Sequence, residues 1–93
     1  MRAALEQVVR TTTRVVNGHL APREAVTILA TLTRDAVPAA RELRGADPEQ
    51  ADVYRELILA IGRQLRQNEP GSDEPRHVRA LTDDLAQVLH ALG

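Results

Sequence analysis

The stretch DPEQADVYRELILAIGRQL, residues 47–65, contains both a helix start and the apolar spacing of a buried helix face. Asp47 has the short acceptor side chain that favours an N-cap, and Pro48 suits the first helical position. Gln50 stands where the second half of a capping box would reach back to Asp47. Apolar residues then recur at spacings of three and four, as one side of a helix requires: Ala51, Tyr54, Ile58, Ile61 and Leu65. The stretch predicts a helix packed against neighbours along one side.

The same spacing occurs near both ends of the chain. A first helix is predicted from about Arg2 to Asn17, followed by Gly18, which accepts the left-handed conformation of a helix stop. Thr12 falls within its apolar stripe, and we expect its hydroxyl to bond a carbonyl one turn back. A last helix is predicted to begin near Pro75, with its stripe at Val78, Leu81, Leu85, Val88 and Leu92. Residues 68–75, rich in Pro, Gly and Ser, predict a flexible loop before it.

The second helix is predicted over residues 22–44, from Pro22 to a stop at Gly45. Pro38 lies inside it, and an internal proline removes one backbone hydrogen bond and bends a helix. The apolar stripe stays in phase on both sides of Pro38, and Pro38 itself projects away from the stripe, toward solvent. The pattern therefore predicts one long helix, kinked at Pro38.

Together these segments predict an all-α fold, an antiparallel four-helix bundle formed by a single domain over residues 1–93. The connections are short, which favours antiparallel neighbours. The chain contains 24 Leu, Ile and Val residues but no Phe or Trp, so the core is expected to be aliphatic. No segment alternates with the period of two that a strand would need.

The charge balance argues against a nucleic-acid partner. Twelve basic residues against thirteen acidic ones give a net charge of −1, without the basic excess that tracks a phosphate backbone. All twelve basic residues are arginine, a bias typical of a GC-rich bacterial genome. Cysteine is absent, which removes disulfides, thiolate metal sites and cysteine nucleophiles.

The expected location is the cytoplasm. The N-terminal residues lack the apolar core of a secretory signal, because Arg2, Glu6 and Arg10 interrupt them. The longest uncharged run inside the chain, Ala25 to Thr33, is far shorter than the roughly 20 residues of a membrane span. We therefore expect no membrane association.

One segment carries a possible catalytic pair. Arg14-Val15-Val16-Asn17-Gly18-His19 has the form Arg-x4-His and resembles the motif of the HEPN superfamily, helical bundles that include RNA-cleaving toxins. The resemblance implies His19 as general acid/base and Arg14 as the group that stabilises charge on phosphorus. Val15 departs from the motif, which usually has a polar residue there. The alternative is that His19 caps the C-terminal end of the first helix.

A second pair has the spacing of metal ligands. Glu74-Pro75-Arg76-His77 fits Glu-x-x-His, which places two ligands on one helical face in di-iron bundles. Such a centre needs two copies and further inward carboxylates, and the sequence offers neither. We therefore expect no metal and no cofactor.

The second helix carries an additional apolar ridge beside its core stripe, formed by Val26, Ala30, Thr33 and Val37. The apolar arc of this helix is about twice the width that a surface helix needs. We interpret the ridge as an interface, either in a homodimer or with another helical protein. The alternative is that the second helix lies deep in the bundle between two neighbours.

The middle of the chain shows a family resemblance. Val37-Pro38, followed by Leu59-Ala60-Ile61-Gly62-Arg63-Gln64-Leu65-Arg66, resembles a family of small uncharacterised helical proteins from GC-rich bacteria. The resemblance implies a helical fold and no activity. The sequence as a whole thus predicts a non-enzymatic interaction or regulatory module, with a HEPN-like RNA-acting protein as the alternative.

Overall fold

The structure, a computed structural model, describes residues 2–93 and confirms the all-α bundle. Four helices follow one another: α1 (Arg2–Val16), α2 (Pro22–Ala46), α3 (Pro48–Asn68) and α4 (Pro75–Leu92). A short 3-10 turn, Glu69–Gly71, lies between α3 and α4, and residues 2–93 contain no strand. Met1, the first residue of the predicted domain, lies outside the described residues.

Successive helices run antiparallel, but the most extensive packing joins two helices that run parallel. Helix α2 packs most closely on α4 and next on α1, while α3 packs on α4 and α1. Gly93, at the end of α4, lies against the Arg44 side chain near the end of α2. Arg2, at the start of α1, forms an ion pair of 3.6 Å with Asp47, just beyond α2. Helix α2 therefore runs with α4 and against α1.

The core is aliphatic, as expected, and its largest fully buried side chains are Leu5, Leu29, Ile58, Leu65, Leu81, Leu85 and Leu92. Two of the three buried threonines bond their hydroxyls to the backbone. Thr12 Oγ1 donates to the Val8 carbonyl at 2.7 Å, which confirms the predicted bond one turn back. Thr33 Oγ1 donates to the Leu29 carbonyl at the same distance. Both polar groups are thereby satisfied without a partner from another helix.

Helix α2 runs uninterrupted through Pro38, whose ring is exposed as predicted. The predicted stop at Gly45 is wrong, because Gly45 and Ala46 are helical. The helix ends where the Asp47 N–H donates to the Leu43 carbonyl at 2.7 Å. Asp47 has a φ of −147° and leads directly into α3, so the chain needs no left-handed glycine at this end.

Asp47 serves as the C-cap of α2 and the N-cap of α3. Its side-chain Oδ1 accepts the Gln50 N–H at 3.2 Å, which confirms the predicted N-cap. The reciprocal half of the capping box cannot form, because the Asp47 N–H is already bonded to α2. A single residue thus joins the two helices.

The predicted loop before α4 lies where expected but contains defined structure. Its 3-10 turn is held by Arg79, whose Nε and Nη2 lie 3.2 and 2.9 Å from Glu69 Oε1. Ser72 then closes the turn, since its N–H donates to the Glu69 carbonyl at 3.1 Å. Its hydroxyl accepts the Glu74 N–H at 3.0 Å.

Candidate functional site

The exposed apolar surface is concentrated on α3. Three large apolar side chains are exposed within residues 2–93: Ile28 at 42%, Val53 at 57% and Leu57 at 44%. Val53 and Leu57 are four residues apart, and the exposed Ala60 follows three residues later. These spacings place Val53, Leu57 and Ala60 in one line along the outer side of α3. We call this line the outer stripe.

A groove between α1 and α3 borders the outer stripe. It encloses about 520 Å³, and its apolar lining comes from Val9, Tyr54 and Leu57. The groove is formed by two helices that run parallel and leave their outward sides uncovered. Its polar lining comes from Glu6, Arg10, Thr13 and Arg14.

Tyr54 fixes the floor of the groove. Its ring is 8% exposed, and its hydroxyl donates to Glu6 Oε1 at 3.4 Å, which ties α3 to α1. Burial raises the pKa of the Tyr54 hydroxyl above its usual value, and the negative charge of Glu6 raises it further against an opposing effect of Arg2. The hydroxyl therefore stays protonated at neutral pH and keeps its role as a donor.

Charged residues flank the outer stripe, with acidic side chains before Leu57 and a basic side chain after it. Glu49 and Glu56 lie on its N-terminal half, and Arg63 lies on its C-terminal half, all three exposed. At 100° per residue these side chains share one flank of the stripe. Arg55 Nη1 lies 3.5 Å from Glu56 Oε1. Within residues 2–93, no ion pair within 4 Å involves Glu49 or Arg63.

The predicted ridge on α2 is largely covered by the chain itself. Thr33 is only 7% exposed, and Val26 and Val37 are half-buried against the core. Ala30 alone among the four is exposed. The cause is the position of α2, which packs on both α1 and α4. Internal packing thus accounts for Val26, Thr33 and Val37, and only Ala30 is left uncovered.

A shallow depression lies where the ridge meets α4. It encloses about 300 Å³, and Ala30 borders it together with Asp84 and Gln87 of α4. Burial raises the pKa of the Asp84 carboxyl, and the neighbouring charge of Asp83 raises it further. The ionised form of the Asp84 carboxyl is therefore disfavoured in this seam at neutral pH.

The α1–α3 groove is lined by Arg14 but not by His19. Gly18 has a φ of +77° and donates its N–H to the Val15 carbonyl at 3.0 Å, while the His19 N–H donates to the Arg14 carbonyl at 2.8 Å. These two bonds form a Schellman motif, in which the residues bonded across the helix end are five apart. The Arg-x4-His spacing is thus the spacing of the helix stop.

Glu74 and His77 lie side by side at the start of α4. Glu74 Oε1 is 3.3 Å from His77 Nδ1, but the contact lacks the geometry of a hydrogen bond. Glu74 occupies the N-cap position of α4 and makes no side-chain cap bond. In the part of the chain that the structure describes, no three His, Asp or Glu residues come together as metal ligands.

The sequence prediction missed the outer stripe. The signal was present, because Val53, Leu57 and Ala60 recur at spacings of four and three beside the core stripe of α3. Ile58, next to Leu57, is fully buried, so the two adjacent apolar residues have opposite environments. Only the positions of α1 and α4 decide which of them is covered.

Comparisons with protein-family models, curated proteins and solved structures found no match to this chain. The resemblance to small helical proteins from GC-rich bacteria therefore stays a prediction. Among residues 2–93, none of the helices combines the length and the apolar character needed to cross a bilayer.

Proposed function

We propose that the protein is a non-enzymatic interaction module that binds a helix, from a second copy or from another helical protein. The observation that carries this proposal is the outer stripe with its adjoining groove. Two of the three exposed large apolar side chains, Val53 and Leu57, lie on this one surface. Covering exposed apolar surface is favourable by about 25 cal/mol per Å², so a helix laid along it would be stabilised.

The surface has the form that a helix fits. Its apolar residues follow one line along α3, and the groove beside them runs between two parallel helices. A helix with apolar residues at spacings of three and four can fill such a groove. The buried Tyr54 gives the groove a fixed floor, which reduces the ordering that binding would otherwise require.

The ridge on α2 is the rival surface. Ala30 is its one exposed member, and a partner there would meet Asp84 and Arg34 beside it. Charged neighbours and a small exposed apolar area make this a weaker docking site than the outer stripe. The two surfaces lie on different helices, so single substitutions separate them.

Affinity capture with matched variants tests the proposal. The purified chain is immobilised and exposed to native cell extract and, separately, to its own soluble copy. We expect saturable binding of one helical protein or of the chain itself, lost in Leu57→Glu and kept in Ala30→Glu. Circular dichroism confirms that both variants fold. The absence of saturable binding by any protein, the chain included, would contradict the proposal.

The HEPN-like alternative predicts catalysis instead. Purified chain incubated with single-stranded and transfer RNA should leave both intact, because the helix stop accounts for the spacing of Arg14 and His19 and only Arg14 lines the α1–α3 groove. Cleavage that disappears in both Arg14→Ala and His19→Ala would establish the alternative. The Arg10→Ala variant, which alters a neighbouring arginine on the same helix, serves as the control.

A further inference from the structure

We infer that the outer stripe binds a second copy of this chain, with the two α3 helices antiparallel across a two-fold axis near Leu57. The inference rests on the proposed function and names its partner. Two features of α3 support it: the placement of its exposed apolar residues and the order of its exposed charges.

The outer stripe is nearly symmetric about its middle residue. Val53 lies four residues before Leu57, and Ala60 lies three residues after it. Reversing one helix about Leu57 therefore places Val53 opposite the partner's Ala60 and Leu57 opposite the partner's Leu57. The two outer pairs then match a larger side chain with a smaller one on either side of the central leucine pair. A two-fold contact of this kind is isologous, since both copies use the same surface.

The charges select the antiparallel direction. One flank of the stripe is acidic in its first half, at Glu49 and Glu56, and basic in its second half, at Arg63. In the antiparallel pair each Arg63 lies between the partner's Glu49 and the partner's Glu56, about 3 Å along the helix axis from the first and about 7.5 Å from the second. In a parallel pair the two charged flanks would lie on opposite sides of the contact, so the favourable pairing of Arg63 with the partner's glutamates would be lost.

Arg63 and Glu49 are available for this role. Both side chains are exposed, and neither forms an ion pair within 4 Å inside the described chain. The other basic and acidic residues near the start of α3 are already engaged, since Arg44 Nη1 lies 2.8 Å from Asp52 Oδ1. The dimer would therefore give Arg63 and Glu49 ion pairs that they lack in the monomer, while Glu56 would be shared between its own chain's Arg55 and the partner's Arg63.

Sedimentation equilibrium of the whole chain, between about 1 and 200 µM, tests the inference because this range brackets micromolar dissociation constants. We expect a reversible dimer for the natural sequence. Leu57→Glu should weaken it at least about 100-fold, because two carboxylates would meet at the axis. Ala30→Glu introduces the same charge on α2 and should leave the dissociation constant unchanged.

A charge exchange tests the register and direction. Arg63→Glu alone should weaken self-association about tenfold, and so should the double variant Glu49→Arg, Glu56→Arg. Mixing the two variants should restore a heterodimer, because each then supplies the charge that the other lacks. The restored association should weaken with added salt.

The outcomes are distinct. A chain that stays monomeric throughout the range, or a dimer that Ala30→Glu disrupts while Leu57→Glu does not, overturns the inference. If a monomeric chain still captures another helical protein through Leu57, only the choice of partner fails and the proposed function stands. If the charge variants weaken the dimer but their mixture does not restore it, the antiparallel register is overturned.

Discussion

Helices α2 and α3 both carry a second apolar line beside their core stripe, but the line on α2 is largely covered and the line on α3 is exposed. On α2 the line includes Thr33, which is 7% exposed. On α3 it includes Val53 and Leu57, which are 57% and 44% exposed. Similar spacings of apolar residues therefore lead to internal packing in one helix and to free surface in the other.

The direction in which each apolar line points explains the difference. Helix α2 is the most extensively packed helix, with α4 along one side and α1 along the other. Its wide apolar arc is what contact with two neighbours requires. Helix α3 packs on α4, α1 and α2, but its outer stripe points away from these helices, and only the groove toward α1 borders it. A wide apolar arc alone thus does not locate an interface.

The largest expected loss in the free energy of unfolding comes from placing a charge on the covered apolar line of α2. Thr33→Asp replaces a hydroxyl that bonds the Leu29 carbonyl by a carboxylate in a nearly closed site. We expect the free energy of unfolding to fall by about 3 kcal/mol or more. Urea denaturation at low protein concentration measures it. Val53→Asp, the matched change on α3, should alter this free energy by no more than about 0.5 kcal/mol under the same conditions. Equal losses in the two variants would remove the distinction between the lines.

The next largest change in the free energy of unfolding is expected at the turn between α1 and α2. Gly18 has a φ of +77°, so Gly18→Ala should lower the free energy of unfolding by about 1–2 kcal/mol. Gly45→Ala should instead raise it by up to about 1 kcal/mol, because Gly45 is helical and a Cβ there meets no neighbouring atom. Thermal denaturation of both variants checks the pair. A loss of stability in Gly45→Ala would mean that Gly45 is not helical.

The seam between α2 and α4 gives the smallest expected effect. The pKa of Asp84 is raised in the folded chain, so the folded state binds more protons than the unfolded state between its unfolded and folded pKa values. This group therefore adds stability as the pH falls into that window and removes it at neutral pH. Asp84→Asn should raise the melting temperature slightly at pH 7 and flatten its change toward acid pH. Asp35→Asn, an exposed acid on α2, is the control. An unchanged acid response in Asp84→Asn would contradict the assignment.

Local signals in the sequence predicted the helix boundaries well because those boundaries depend on neighbouring residues. Asp47 caps α3 through its own side chain, and Gly18 ends α1 through its own backbone. The stop predicted at Gly45 is wrong because the end of α2 is set by the Asp47 N–H, which bonds the Leu43 carbonyl. The capping box predicted from the sequence would have used the same N–H.

Tertiary coverage could not be predicted in the same way. Periodicity identifies the apolar side of a helix but not the neighbour that covers it, so the parallel packing of α2 on α4 was not foreseen. For the same reason the sequence pattern predicts an interface at the ridge on α2 and does not separate Leu57 from the buried Ile58 beside it. The two residues are adjacent in sequence and differ only in what lies against them.

Cysteine cross-linking tests most directly whether the outer stripe of α3 is the contact between two copies. The chain contains no cysteine, so a single introduced thiol reports on one position. Two thiols form a disulfide only when their Cα atoms come within about 7 Å. Under mild oxidation Leu57→Cys should form a covalent dimer rapidly and at low concentration, whereas Ala30→Cys should remain monomeric. A covalent dimer through Ala30→Cys with none through Leu57→Cys would contradict the account and return the interface to α2.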